Sequence, residues 1–500
     1  ISKSKEVDTV KKEFIPYTPQ KCQIEGEPKI RKALETQDKV QAICATGTGK
    51  TILAYSLVRN TNKTVLFLCP TIALVNQTKD EWCKFQDINS LIVCSNKDSE
   101  DVDTIVSTNP AVIEAFLSSK IESKLNVVFG TYHSAEAISL AQSSSNTEFD
   151  IVFYDEAHQT VTHADGRNHM AVLDSFIKSK KKVFITATRK ITNHDGGVNV
   201  ATMNDVEKYG EVVYELTVAE AIAKGWSVPF QTYMMEVSQN SYNDVVEEII
   251  DNTTISYDND LMKARHVSSL VCLLKSINEL GSKKIATFHT TNSSALKFAE
   301  LISELKVKGL LKTDVLTREL TANNTQEFRK NFLATEFCNA ETAVIASAKW
   351  MREGVDIPCL DTIIIVDPIG SGIACVQTIG RALRIDKNNP DKVAKIIIPS
   401  FIGDDFDTSK DNTVLTVISN LHDIDESANF EFDVVSPNGE RVMRNTTFRV
   451  MQDVEIPDSR RVELNEYIET IQLRSLGLYD QVKREEKIQY LEEALLKPMF

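Results

Sequence analysis

The segment Ala45-Thr46-Gly47-Thr48-Gly49-Lys50-Thr51 constrains this chain more than any other. It follows the apolar run VQAIC (residues 40–44) and opens a helical pattern. The order is strand, glycine-rich turn, helix start, which is the setting of a phosphate-binding loop of the form G/A-x-x-x-x-G-K-[ST]. Ala45 takes the first position. The backbone N–H groups of Gly47, Thr48 and Gly49 can cradle phosphates at a helix N-terminus, with Ala45 and Thr46 completing the loop. Lys50 is placed to reach the β- and γ-phosphates, and Thr51 to hold Mg²⁺. ATP and Mg²⁺ are therefore the expected ligands.

A second feature complements the first. The apolar run IVFYD ends in Asp155-Glu156-Ala157-His158. Carboxylates at the C-terminal edge of a parallel strand lie where α/β sheets bind ligands. Asp155 is expected to hold Mg²⁺, and Glu156 to position and activate an attacking water.

Short β-branched runs alternate with helical patterns on both sides of these motifs. In the first half they cover residues 40–44, 64–69, 90–94, 126–130, 150–155 and 182–187, with crossover helices expected over 74–85 and 164–179. In the second half strands are expected over 283–289, 342–348, 362–367 and 394–400, and helices over 291–305, 324–334 and 373–384. Continuous apolar runs are the signature of buried parallel strands. Their alternation with helices predicts two doubly wound α/β domains. The expected divisions are 1–205, 206–420 and a smaller accessory region, 421–500. Residues 237–262 read as a polar excursion. In the last region Pro437-Asn438-Gly439, between residues 430–435 and 441–450, predicts a β-hairpin. A charged helix is expected from Arg460 onward, and Arg441, Arg444 and Arg449 could form an accessory grip or an ordinary solvated surface.

Composition removes several classes. The 500 residues suffice for two or three domains with proper cores. No apolar run approaches the ~18 residues of a membrane span, and the first residues lack the apolar stretch of a signal peptide. No membrane association is expected. The chain does not begin with Met, which fits a trimmed chain or a piece of a longer one. Nine cysteines show no CxxC pair and no zinc spacing, so free thiols in a reducing compartment are expected. The net charge of −15 argues against tight nonspecific coating of DNA, but leaves room for a local grip on phosphates.

Further motifs take the reading beyond a nucleotide hydrolase. Pro70-Thr71-Ile72-Ala73-Leu74-Val75-Asn76-Gln77, Thr131-Tyr132-His133-Ser134, Thr186-Ala187-Thr188, Phe288-His289, residues 352–358 (REGVDIP) and residues 377–384 (QTIGRALR) occur in this order. With the two ATP motifs, they make the chain resemble superfamily 2 helicases of the DEAH kind over roughly residues 14–420. The resemblance is to the branch holding type I and type III restriction-enzyme motors and their viral and plasmid relatives.

That resemblance implies two tandem RecA-like domains that bind ATP and move on nucleic acid. It implies nucleic-acid contacts at Thr71 and Thr131, and coupling of hydrolysis to movement through His158, Thr186 and Thr188. Gly354, Asp356 and Gln377 are implied nucleotide contacts, and Arg381 and Arg384 arginine fingers. The family's adenine-reading Gln is matched to Gln20, which follows Pro19, with Gln23 the other candidate. Phe14 or Tyr17 could stack on the base or simply pack. The family usually has Pro after Thr188, where this chain has Arg189.

DNA is the expected substrate ahead of RNA. A motor subunit of a restriction or defence complex, moving on duplex DNA without unwinding it, is the alternative to a helicase, as is an RNA helicase. A larger complex or further domains are compatible with either. The expected compartment is the cytoplasm, the nucleus or a viral factory.

Overall fold

Two parallel sheets organise the chain, each built from buried β-branched runs. The computed structural model describes residues 13–95, 105–162, 166–190, 202–237, 239–253, 255–257, 260–321, 323–348, 357–367, 372–401, 433–435 and 448–452. The chain divides into two units, Ile1–Leu216 and Thr217–Phe500.

In the first unit the strands are β1 (Lys39–Cys44), β2 (Thr64–Cys69), β3 (Ile88–Val93), β4 (Ile105–Val106), β5 (Leu125–Thr131), β6 (Ile151–Asp155), β7 (Lys182–Thr186) and β8 (Glu211–Leu216). Their order in the sheet is β4-β3-β5-β2-β6-β7-β1-β8, and every pairing is parallel. Consecutive side chains on a strand face opposite sides, so β6 feeds two aromatic clusters. Phe153 meets Phe67 and Trp82, while Tyr154 stacks on Phe184 at 4.6 Å between ring centroids. Burying each such ring contributes roughly 1.5–3 kcal/mol. Helices Cys22–Leu34, Lys50–Val58, Ile72–Trp82, Pro110–Ser118 and Ala135–Ser145 supply connections or cover.

The position of β8 moves the domain boundary. β8 pairs along β1, so the first unit ends at Leu216 rather than at residue 205. The turn that delivers it passes so close to β1 that a Cβ on Gly210, whose φ is 74°, would sit 2.0 Å from the Lys39 carbonyl oxygen. Only glycine fits there.

The crossover helix expected over 164–179 shrinks to Arg167–Met170. Beyond it, Asp174 ties the chain to the sheet through Lys39 Nζ at 2.6 Å and Lys182 Nζ at 2.8 Å.

In the second unit the strands are β9 (Phe230–Val237), β10 (Lys284–His289), β11 (Leu316–Leu320), β12 (Ala343–Ala348), β13 (Thr362–Ile365), β14 (Ala394–Phe401), β15 (Asp433–Val435) and β16 (Phe448–Gln452). The order is β11-β12-β10-β13-β14-β9, extended by β16 and β15, again all parallel. Leu270 and Leu273 of helix Asp260–Asn278, and Phe298, Leu301 and Ile302 of helix Asn292–Val307, form its core with Ile285, Val344 and Ile364.

The polar excursion expected over 237–262 holds helix Gln239–Glu248 and the start of the long helix at Asp260. Two expectations change here. The hairpin is replaced by a parallel pairing of β15 with β16, which a tight two-residue turn cannot connect. Residues 436–447 and the charged stretch from Arg460 lie outside the described residues. Finally, the thiols are not all free. Cys338 and Cys359 are joined in a disulfide with Cα atoms 5.9 Å apart, a spacing suited to the bond. The fold brings together two cysteines on opposite sides of β12.

Among the described residues no helix is long and apolar enough to cross a membrane.

Candidate nucleotide-binding site

The C-terminal edge of the first sheet gathers the acidic and phosphate-loop residues. β1 runs out into Ala45, and helix Lys50–Val58 begins at Lys50. Gly47 and Gly49 have φ of 80° and 95°, the left-handed conformations that let successive N–H groups of such a loop point inward.

Helix Cys22–Leu34 and the residue before it hold the loop from outside. Lys21 Nζ donates to the Gly47 carbonyl at 3.0 Å, and Gln23 Nε2 donates to the Gly49 carbonyl at 2.9 Å. A Cβ on Gly49 would meet Gln23 Nε2 at 2.4 Å. Inside the loop, Thr48 Oγ1 donates to the Ala45 carbonyl at 2.7 Å. Trp82 Nε1 donates to the Thr51 carbonyl at 3.0 Å, fixing the first turn of the helix. Of the loop's own N–H groups, that of Ala45 donates to the Leu216 carbonyl at 2.9 Å and that of Thr48 to the Ala45 carbonyl at 3.4 Å.

The acidic pair faces this loop from β6. Lys50 Nζ lies 3.7 Å from Glu156 Oε1. Glu156 adopts φ 51°, ψ 49°, a conformation rare outside glycine and found where function imposes strain. The Tyr132 hydroxyl donates to the Asp155 carbonyl at 2.7 Å and anchors the strand end. Asp155 is buried, and among the described residues its Oδ1 has no hydrogen-bond partner. Burial first, then the Glu156 charge, raise its pKa to about 7 against the pull of Lys50.

A buried carboxyl oxygen without a donor, on the strand end that faces a phosphate loop, fits a hard cation. No group of three or more His, Cys, Asp or Glu residues able to hold a metal occurs among the described residues.

His158 and Thr186, assigned to coupling from the sequence, are in contact. His158 Nδ1 lies 2.9 Å from Thr186 Oγ1 and 3.4 Å from Glu156 Oε2. Thr186 Oγ1 donates to the Thr188 carbonyl at 2.9 Å, so it can only accept from the ring. His158 therefore carries its proton on Nδ1, and Nε2 accepts from Gln159 Nε2 at 3.1 Å. Burial lowers the His158 pKa, which keeps the ring neutral.

The other expected residues fall into three groups. Gln20 is exposed, with its backbone N–H donating to Gln23 Oε1 at 2.8 Å. Gln23, the other adenine candidate, is spent on the loop. Tyr17 packs against Tyr55 and Phe85, with the Arg59 guanidinium 4.6 Å from its ring centre. Thr71 caps helix Ile72–Trp82, accepting from the Leu74 N–H, and Thr131 Oγ1 lies 2.9 Å from Ser134 Oγ. In the second unit, Gln377 and Arg381 lie on helix Gly372–Ala382, but Arg384 falls beyond its end. The helix expected over 373–384 thus stops short of Arg384. Gly354 and Asp356 lie outside the described residues.

Sequence reasoning missed Lys21 and took Tyr132 only as a member of Thr131-Tyr132-His133-Ser134; both act on backbone carbonyls that only the fold brings near.

Comparison with known proteins finds helicase and restriction-enzyme relatives. Residues 16–191 match the family described as type III restriction enzyme, res subunit, and residues 266–386 match the helicase conserved C-terminal domain. A probable helicase of African swine fever virus is 24% identical over 360 residues, covering 70% of this chain and 37% of the viral protein. The type I restriction enzyme EcoAI endonuclease subunit of Escherichia coli is 22% identical, covering 74% of this chain and 44% of that subunit. Among solved structures, the ATP-dependent type ISP restriction-modification enzyme LlaBIII bound to DNA aligns over 93% of this chain and 33% of its own, with a TM-score of 0.72 and 19% identity. This last likeness is one of fold. The chain spans less than half the length of these relatives.

Proposed function

Because the chain belongs to the superfamily 2 helicases and is related to restriction-enzyme motor subunits, we propose that it hydrolyses ATP to move on DNA. The observation that carries this reading is the meeting of Lys50, Asp155 and Glu156 at one phosphate loop.

In this reading the N–H groups of Gly47, Thr48 and Gly49 bind the phosphates, and Lys50 neutralises charge developing on the transferred phosphoryl group. Thr51 and Asp155 would hold Mg²⁺, which when bound would supply neutralisation of phosphate charge. Glu156 accepts a proton from the attacking water. Arg381 and Arg384 act as arginine fingers, while Gln377, Gly354 and Asp356 contact the nucleotide. Gln20, which is exposed, reads adenine. Thr71 and Thr131 contact the nucleic-acid backbone, the usual way such proteins fix position rather than sequence. His158, Thr186 and Thr188 couple hydrolysis to movement.

The test is ATP turnover against single- and double-stranded DNA and RNA. Stimulation by DNA that disappears in Lys50→Ala is expected. Stimulation by RNA alone would sink the DNA assignment.

A second reading is favoured by the restriction-enzyme matches: translocation on duplex DNA without strand separation. Displacement of a triplex strand with the duplex left intact would establish it over a helicase.

A further inference from the structure

Where the family usually places Pro after Thr188, this chain has Arg189, and the structure gives it work. The Arg189 guanidinium donates through Nη2 to Asn204 Oδ1 and, at 3.4 Å, to the Met203 carbonyl. The same carbonyl is held from the other side by Gln41 Nε2 at 3.0 Å, which also donates to the Gly210 carbonyl at 2.7 Å. Gln41 belongs to β1, the strand that ends in the phosphate loop.

Neighbouring residues tie the same two segments. The Met203 N–H donates to the Lys190 carbonyl at 3.1 Å, and Lys190 Nζ to the Val161 carbonyl at 2.9 Å. Met203 itself is fully buried. Downstream, Asp205 caps helix Val206–Tyr209, which leads through Gly210 into β8 and then to Thr217, the first residue of the second unit.

We propose that Arg189 and Asn204 form a clamp that couples the state of the nucleotide site to the segment carrying the chain into the second unit. The proposal rests on the motor reading above. Thr186 accepts from His158 and donates to the Thr188 carbonyl. A shift of His158 or Glu156 therefore reaches the residue adjoining Arg189. A proline there would stiffen the backbone but could donate nothing. The planar guanidinium instead offers several N–H groups in a fixed fork, and two acceptors on one segment hold it. Arg189 and Asn204 are positioning residues, since neither touches the nucleotide loop or the acidic pair.

The experiment uses the full chain as wild type, Arg189→Ala, Asn204→Ala and the double variant. Two quantities are read: basal ATP turnover, and ATP consumed per base pair of duplex DNA travelled. Basal turnover should stay within about twofold of wild type. ATP consumed per base pair should rise at least about fivefold in each single variant. The double variant should be no worse than Arg189→Ala, which already removes both of the clamp's hydrogen bonds.

An unchanged ratio in Arg189→Ala, or additive losses in the double variant, overturns the clamp. So does a fall in basal turnover that leaves the ratio constant, since that marks a structural role only. Asn204 is exposed, so Asn204→Ala keeps the test valid should Arg189→Ala fail to fold. Absence of Lys50-dependent turnover in the wild type would instead sink the motor reading itself, so the two failures are told apart.

Discussion

Each unit carries a buried polar cluster at the C-terminal edge of its parallel sheet, and the two clusters are built on opposite principles. In the first, Asp155, Glu156 and Lys50 leave a buried oxygen unpartnered and a glutamate in a left-handed conformation. In the second, almost every polar atom closes on another. Ser294 Oγ lies 2.9 Å from His266 Nε2 and 2.9 Å from His289 Nδ1. Thr287 Oγ1 is 2.9 Å from His289 Nε2, and the Tyr257 hydroxyl is 3.0 Å from His266 Nδ1. Asp367 Oδ2 accepts from both the backbone and the hydroxyl of Thr290. An open cluster is shaped for something that arrives, whereas a closed one fixes the strand ends.

The largest effect that could break this contrast lies in the open cluster. Glu156→Gln keeps the shape and removes the base, so ATP turnover should fall by roughly 10²–10⁴-fold with the fold intact. Single-turnover hydrolysis measures it, and unchanged turnover would remove Glu156 from the chemistry.

A smaller effect is expected in the closed cluster. Ser294→Ala leaves two buried imidazoles without their shared hydroxyl, at a cost of about 1–3 kcal/mol. Urea unfolding should show that loss with ATP binding to the first unit unchanged. A loss of ATP binding would mean that the two clusters are not independent.

The subtlest difference is in the response to acid. Burial lowers the pKa of His266 from 6.5 to about 4 and of His289 to about 3. Between pH 6.5 and 4 the unfolded chain therefore binds protons that the folded second unit refuses, and its stability falls as pH falls. Asp155 does the reverse. Its pKa is about 7 folded and 3.8 in the ordinary range, so the folded first unit binds the extra proton and gains stability as pH falls between them. Unfolding of the two units followed separately between pH 7 and 4 should show slopes of opposite sign from these groups. Saturating Mg²⁺ should flatten the Asp155 contribution by favouring its ionised form.

The sequence revealed the interior of each sheet far better than its edges. β1, β2, β5, β6 and β7 are continuous apolar runs because both faces are covered. β8 (EVVYEL) and β11 (LTREL) mix charge with apolar residues because they lie at sheet ends, and they escaped notice for that reason. In the site, local patterns exposed Lys50, Thr51, Asp155 and Glu156. The family likeness named His158 and Thr186 for coupling, but their contact appears only with the fold. Nothing local announced Gln23 as a brace for Gly49, Tyr132 as an anchor for Asp155, or the union of Cys338 with Cys359, since each depends on residues brought together by the fold.

β8 has a mechanical consequence. It runs parallel to β1, and the chain leaves it at Leu216, whose carbonyl accepts the N–H of Ala45 at 2.9 Å. Tension drawn along β8 from Thr217 would load the β1–β8 hydrogen bonds together, in shear, instead of peeling them one at a time. The outermost strand is thus fastened as a tether, and the first residue to feel the strain across it opens the phosphate loop.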